Sequence, residues 1–136
     1  MAQAADRESD AISMEALIRH QLILLGEDPS REGLRETPER VKESLEFLTR
    51  GYRMTVEDVF GGATFTETYK DMIVVKDIEM YSLCEHHLLP FYGRVHIGYI
   101  PRGRLVGLSK MPRLVELYSR RLQVQERMTR QIAECL

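Results

Sequence analysis

The sequence has few cysteines, no tryptophan and no long apolar run. Only two cysteines occur in 136 residues, which is too few for a scaffold held together by disulfides. No apolar stretch approaches the roughly 20 residues that a transmembrane helix needs. Residues 1–10 lack the apolar core of a secretory signal peptide. We therefore expect a soluble protein of the reducing cytoplasm that has no membrane partner.

A large excess of charge of one sign is also absent. The formal net charge is -2, so no global basic field recruits nucleic acid. The apolar fraction of 43% and the charged fraction of 29% are ordinary for one globular domain. Basic residues do outnumber acidic ones in the second half, which fits either a site for an anionic small ligand or a solvated basic face.

Hydrophobic periodicity predicts helices in the first part of the chain. Apolar positions in residues 12–25 recur at helical spacing, and either Ser9 or Asp10 is expected to cap this helix. A second helix is expected to begin after Thr37 as its N-cap and to end at Gly51. This part of the sequence therefore predicts a helical region.

The periodicity then changes to that of strands and returns to that of helices. Residues 64–69, 72–80 and 91–100 are rich in β-branched and aromatic residues or alternate in polarity, which predicts strands. Ser109 is expected to cap a helix, and residues 124–136 carry apolar residues at near every fourth position. The order of elements predicts an α+β fold.

The most informative stretch is residues 82–90, Ser-Leu-Cys-Glu-His-His-Leu-Leu-Pro, which we expect to form a loop. Cys84-x-x-His87 has the spacing of half a zinc site, because a loop lets residues i and i+3 point at one ion. His86 would then face elsewhere and serve as an acid or base. Glu85 could orient an imidazole without itself binding the metal.

Two ligands do not hold zinc, since a catalytic site has three protein ligands and a water. Cys84 could instead be a buried small hydrophobic residue or a thiol nucleophile. Two other histidines, His20 and His96, stand alone and are interpreted as structural. Cys135 lies on the apolar stripe of the last helix, which favours core packing over metal binding.

Three motifs in this sequence resemble those of one enzyme family, GTP cyclohydrolase I. Residues 82–93, Ser-Leu-Cys-Glu-His-His-Leu-Leu-Pro-Phe-Tyr-Gly, look like its zinc-site signature. The runs 107–113 and 121–127 resemble its downstream motifs, and 34–41 resembles its N-terminal helical region. The resemblance covers about residues 12–136, with the motifs in the family's order.

The resemblance implies a tunnelling fold, in which an antiparallel sheet carries two helices on one face, preceded by an N-terminal helical region. It implies pentameric barrels that pair into a decamer, with active sites between subunits. On this basis we expect a disordered N-terminus at 1–10, a helical region at 11–62 and a partial tunnelling-fold catalytic domain at 63–136. The family's final two strands are expected to be missing.

The resemblance also implies a reaction. In that family, zinc-activated water adds at C8 of the guanine of GTP, the imidazole ring opens and formate leaves. The ribose then rearranges to give 7,8-dihydroneopterin triphosphate, the first step of folate and pterin biosynthesis and so a part of one-carbon metabolism. We therefore expect a hydrolase that binds GTP and Zn²⁺.

Site residues are carried over by position. Cys84 and His87 match two of the family's three zinc ligands, and His86 matches the histidine that delivers a proton to the purine. Glu126 matches the carboxylate that anchors the N–H edge of guanine, and Gln125 sits beside it. For Glu126 the alternative is a solvated carboxylate on a helix.

Other positions match the part of the family's site that holds the ribose and the triphosphate. These are Ser109, Lys110 and Arg113, at the expected start of a helix, where anions bind readily. Arg40 is expected to add to phosphate binding. The remaining basic residues of the last two helices are interpreted as surface or interface residues, namely Arg120, Arg121, Arg127 and Arg130.

Beyond these motifs, the sequence departs from the family's pattern. The two later strands of the family carry the third zinc ligand, a cysteine, with another histidine and a phosphate-binding arginine. Two alternatives therefore stand beside the enzyme: a truncated, inactive member that at most co-assembles with full-length subunits, and a pterin or deazapurine enzyme of the same fold that uses Cys84 as nucleophile.

Overall fold

The structure of the chain is a computed structural model that describes residues 12–62 and 64–136. The predicted disordered N-terminus, residues 1–10, lies outside the described residues. Within them, helices are combined with short antiparallel and mixed sheets, which confirms the predicted α+β class. No helix in this part of the chain has both the length and the apolar character needed to cross a bilayer.

The described chain forms two compact units, one of residues 12–46 and one of residues 47–62 and 64–136. The first unit contains α1 (Met14–Leu24), a 3-10 turn (Glu32–Leu34) and most of α2 (Thr37–Leu48). The predicted domain boundaries are not tested by this division and stay predictions.

Two details of the first unit correct the predicted helix starts. α1 is capped by Ser13, not by Ser9 or Asp10, because Ser13 has an extended backbone and its hydroxyl accepts the N–H of Ala16 at 3.2 Å. α2 begins one residue earlier than predicted, so Thr37 is its first helical residue and not its N-cap.

The second unit opens with a 3-10 turn (Arg50–Arg53) and the short helix α3 (Val56–Phe60). Thr55 caps α3 through a reciprocal capping box. The Thr55 hydroxyl accepts the N–H of Asp58 at 3.1 Å, and the Asp58 carboxylate accepts the N–H of Thr55 at 2.8 Å. Gly61 ends the helix in the left-handed conformation with φ 43°.

The capping box gives the first testable prediction. We expect Thr55→Ala to lower the free energy of unfolding by about 1 kcal/mol, because it leaves an N–H of α3 without its acceptor. Thr55→Ser keeps the hydroxyl and is expected to stay near wild type. Urea denaturation would measure both variants. An alanine variant as stable as the serine variant would contradict the assignment of the cap.

The second unit contains two sheets. β2 (Ile73–Cys84) and β3 (Pro90–Tyr99) form a long antiparallel hairpin, and β5 (Leu122–Gln123) pairs in parallel with the end of β2, giving the order β3-β2-β5. β1 (Thr64–Thr66) and β4 (Arg104–Val106) form a separate antiparallel pair.

The loop predicted at 82–90 is wrong in its extent. β2 continues through Cys84 and β3 begins at Pro90, so that only residues 85–89 form the turn. The strand pairing persists because Cys84 donates its N–H to Leu89 O at 2.8 Å, which closes the hairpin just before the turn. The turn is therefore short and held on both sides by paired strands.

A β-bulge interrupts β2 near its middle. The register shifts between Val75 and Ile78, and Asp77 adopts a positive φ of 59°. The N–H of Asp77 donates to Nδ1 of His96 on β3 at 3.1 Å. His96 thus supports the bulge, in agreement with its interpretation as a structural histidine.

The core lies between the hairpin and the last two helices. α4 (Lys110–Ser119) and α5 (Gln125–Glu134) bury the apolar faces that the sequence predicts. Cys135 packs against this core and its Sγ lies 2.9 Å from the hydroxyl of Tyr118, as expected for a packing role. The most buried side chains of the two helices are Met111, Leu114, Val115, Leu117, Met128 and Ile132.

Candidate functional site

The turn between β2 and β3 brings one thiol and one imidazole together. Cys84, the last residue of β2, has its Sγ 3.5 Å from Nδ1 of His87. A tetrahedral zinc ion with bonds of about 2.3 Å to sulfur and 2.0 Å to nitrogen separates such ligands by about 3.5 Å. The two side chains are thus already spaced as two ligands of one ion.

The same contact favours the thiolate form of Cys84. The hydrogen bond with His87, and then the backbone N–H of His86, lower the pKa of the Cys84 thiol below its usual value, while partial burial opposes this shift. Because the thiolate is the form that binds metal, the turn favours the species that a metal ion requires.

Sulfur and imidazole nitrogen are the donors that zinc prefers, so Cys84 and His87 fit two positions of a zinc site. In residues 12–62 and 64–136, no group of three His, Cys, Asp or Glu side chains is arranged to hold a metal ion. The other cysteine, Cys135, is engaged with Tyr118. Among the described residues, Cys84 and His87 are therefore a pair without a third side chain of this kind placed to complete a metal site.

His86 lies at the exposed surface of the turn. Its side chain is 66% exposed, and its ring meets that of His87 edge-on with centroids 6.3 Å apart. Its Nε2 lies 3.6 Å from Oε1 of Glu85, which is outside hydrogen-bond distance. An imidazole that projects into solvent beside the thiolate is accessible to a bound substrate.

Glu85 has a stronger partner that the sequence analysis did not identify. Arg127, in the first turn of α5, binds both carboxylate oxygens: Nη2 donates to Oε1 at 3.0 Å and Nη1 donates to Oε2. Arg127 is the largest cause of a lowered pKa of the Glu85 carboxyl. The two residues are 42 positions apart and share no motif, so only their opposite charges hint at this pair.

Gln125 and Glu126 are the first two residues of α5, immediately before Arg127. Both are exposed. Among the described residues, no hydrogen bond or ion pair engages either side chain. β5 pairs Gln123 with Cys84 and leads directly into α5. The structure thus brings the start of α5 to the Cys/His turn.

The start of α4 carries three further predicted site residues. Ser109 stands at the N-cap position, but its side chain makes no capping hydrogen bond. Ser109 and Arg113 are exposed and Lys110 is half-buried. In the described part of the chain, their side chains have no ion-pair partner and no bond to the Cys/His turn.

Arg40 belongs to α2, in the first unit. Its guanidinium pairs with Glu36 one turn earlier, and its carbonyl accepts the hydroxyl of Ser44 at 2.8 Å. Its predicted phosphate contact stays a prediction.

Comparison with known proteins gives a consistent result. Residues 14–136 match the family model described as GTP cyclohydrolase I. A protein named GTP cyclohydrolase 1 from Synechococcus sp. (strain JA-3-3Ab) is 59% identical over 124 residues, covering 91% of this chain and 54% of that protein. The protein of the same name from Chlorobaculum tepidum is 53% identical over 135 residues, covering 98% of this chain and 60% of that protein.

The chain spans a little more than half the length of these two curated relatives. Within that span the match is nearly continuous and includes the Cys/His turn and the starts of α4 and α5. On this similarity, which extends over almost the whole sequence, the chain belongs to the GTP cyclohydrolase I family.

Proposed function

We propose that this chain supplies metal-binding, proton-transferring and guanine-binding residues of an enzyme that converts GTP into 7,8-dihydroneopterin triphosphate and formate. The observation that carries the proposal is the 3.5 Å approach of Cys84 Sγ to His87 Nδ1 beside the exposed His86. Relatives named GTP cyclohydrolase 1 support the same reaction.

Cys84 and His87 would hold a zinc ion as two of its ligands, with the thiolate favoured by the hydrogen bond between them. When bound, zinc makes water acidic enough to attack an electrophilic carbon near neutral pH. The rigid end of β2 fixes the thiol, because Cys84 pairs through its backbone with Gln123 of β5. Little reorganisation of these two ligands would be needed on binding.

His86 would act as the proton donor. Addition of water at C8 of guanine places electrons on the neighbouring ring nitrogen, and a proton at that nitrogen lets the ring open. An exposed imidazole is suited to this step because imidazole is the side-chain group that most often acts as a general acid or base. The His86 side chain is 66% exposed, which leaves its ring available for the substrate.

Glu126 and Gln125 would bind guanine, and the start of α4 would bind the ribose and the triphosphate. A carboxylate suits the parallel N–H donors of the guanine edge, and Glu126 has no partner within the described residues that would compete. Lys110 and Arg113 would hold the triphosphate together with the N-terminus of their helix, and Ser109 would contact the ribose. Arg40 would add to phosphate binding.

We further propose the tunnelling fold and the assembly that go with this function. The packing of α4 and α5 against the β2–β3 hairpin is compatible with that fold. Pentamers that pair into a decamer would place active sites between subunits, where a neighbouring subunit could complete the ligand set. The enzyme would work in the cytoplasm, at the start of folate or pterin synthesis.

A paired measurement of metal and product tests the proposal. In the assembled enzyme, with its ligand set complete, we expect about one zinc per subunit and formation of the fluorescent oxidised pterin from GTP. Cys84→Ala is expected to lower zinc affinity at least tenfold and to reduce turnover to background, since it removes the thiolate ligand. Cys135→Ala is the matched control, because it removes the cysteine that contacts Tyr118, and it should retain both properties.

Two outcomes would count against the proposal. Zinc content and turnover that survive Cys84→Ala would contradict the assignment of the metal site. A wild-type chain that binds no zinc and forms no product would contradict the activity of this chain, and would favour the inactive, co-assembling alternative. Family membership rests on similarity and would stand in both cases.

A further inference from the structure

Two contacts join the Cys/His turn to the segment that carries the proposed guanine ligands. The backbone N–H of Glu85 donates to the carbonyl of Gln123 at 3.1 Å. The carboxylate of Glu85 receives both Nη atoms of Arg127. The first contact fixes the backbone of the turn on β5, and the second fixes a side chain of the turn on the first turn of α5.

The sequence positions of Glu85 and Arg127 connect the two parts of the proposed site. Glu85 stands between Cys84 and His86, and Arg127 directly follows Glu126. Any rotation of the turn relative to α5 therefore changes the distance between the proposed proton donor and the proposed guanine anchor. A planar guanidinium that binds a carboxylate with two parallel bonds resists this rotation, whereas a single bond would not.

Stability alone does not account for such a pair. The side chains of Glu85 and Arg127 are 27% and 44% exposed. Exposed ion pairs contribute little to the free energy of folding. Arg130 lies one turn further along the exposed side of α5. Within the described chain it has no carboxylate partner. A basic helix face by itself therefore does not produce an ion pair like that of Arg127 with Glu85.

We propose that Glu85 and Arg127 form a positioning clamp that holds His86, Cys84 and His87 at a fixed distance from Gln125 and Glu126. The proposal rests on the proposed function and assigns to it two residues that do not themselves contact the substrate. Oε1 of Glu85, which accepts the bond from Nη2 of Arg127 at 3.0 Å, lies 3.6 Å from Nε2 of His86. The carboxylate held by Arg127 thus lies beside the His86 ring.

The test is a double-mutant cycle with Glu85→Gln, Arg127→Gln and the combined variant. Each single variant is expected to lower kcat for GTP roughly 10–100-fold, the range typical for lost outer-shell partners, with KM changed less than about threefold. The combined variant should be no worse than either single one, because the pair acts as a unit. Arg127→Lys should rescue only in part, since an ammonium cannot bind both oxygens at once.

Arg130→Gln is the matched control on the same helix and should leave kcat unchanged. Thermal unfolding of all variants should stay within a few degrees of wild type, which separates positioning from global stability. Additive losses in the cycle, or single variants with wild-type kcat, would overturn the clamp while leaving the proposed function intact.

A second readout does not depend on turnover. In NMR spectra of the ring C–H groups, Glu85→Gln and Arg127→Gln should each shift the His86 and His87 signals in the same direction, and Arg130→Gln should not. If the wild-type chain is inactive, the proposed function fails. The NMR spectra then serve as the test of whether Glu85 and Arg127 form the clamp. Ring signals that stay in place in Arg127→Gln would overturn it.

Discussion

Replacing Gly51 by alanine is expected to destabilise the second unit by about 3 kcal/mol or more, at the upper end of what overpacking costs. Gly51 is buried, and a Cβ atom there would lie 2.8 Å from the carbonyl oxygen of Arg120 and still closer to that of Leu117. Both obstacles are backbone atoms, so neither can rotate away. The Gly51 N–H also donates to Arg120 O at 2.9 Å, and a shift of the turn would strain this bond.

The expected loss corresponds to a melting temperature about 12–24 °C lower for a unit of this size, and differential scanning calorimetry would measure it. Gly93→Ala is the matched control, because no atom lies within 4 Å of a Cβ at Gly93 and its φ is not positive. This control should melt near wild type. Equal melting temperatures for the two variants would show that the 3-10 turn at Gly51 does not pack closely against the end of α4.

His86→Ala is expected to lower kcat for GTP by about 10²–10⁴, the usual contribution of a general acid. The variant should keep its zinc, because His86 is not one of the two residues proposed to bind it. It should also keep its stability, since the side chain is exposed. Steady-state kinetics and metal analysis on one preparation would separate these properties.

His20→Ala provides the control for His86→Ala. His20 is exposed on α1 and has no place in the proposed chemistry, so kcat should not change. Loss of zinc in His86→Ala would make His86 a ligand instead of a proton donor. A kcat within tenfold of wild type would remove it from the mechanism.

Local signals explain what the sequence could predict. The apolar stripes of α4 and α5 are read by counting residues, and Met111, Leu114 and Met128 are indeed buried. The cap at Thr55 depends only on Asp58, three residues later. These features are set by neighbours in the sequence, so the sequence alone is enough to predict them.

Features set by distant segments could not be predicted in the same way. β2 runs through Cys84 because Leu89 and Gln123 provide backbone partners for Cys84. No pattern in residues 82–90 predicts this pairing. The pair between Glu85 and Arg127 is another case, since arginines on an exposed helix face usually meet only water. The roles of His86 and Glu126 came from family resemblance and remain predictions.

The bulge at Asp77 has a consequence for the thiol. Side chains on a strand alternate between faces, and one inserted residue reverses the phase of all later residues on that strand. Before the bulge, odd-numbered side chains such as Val75 face the core; after it, Ile78, Met80 and Ser82 are buried instead. Cys84 continues this even-numbered series. A single left-handed residue, seven positions upstream, thus decides from which side of the sheet the thiol emerges.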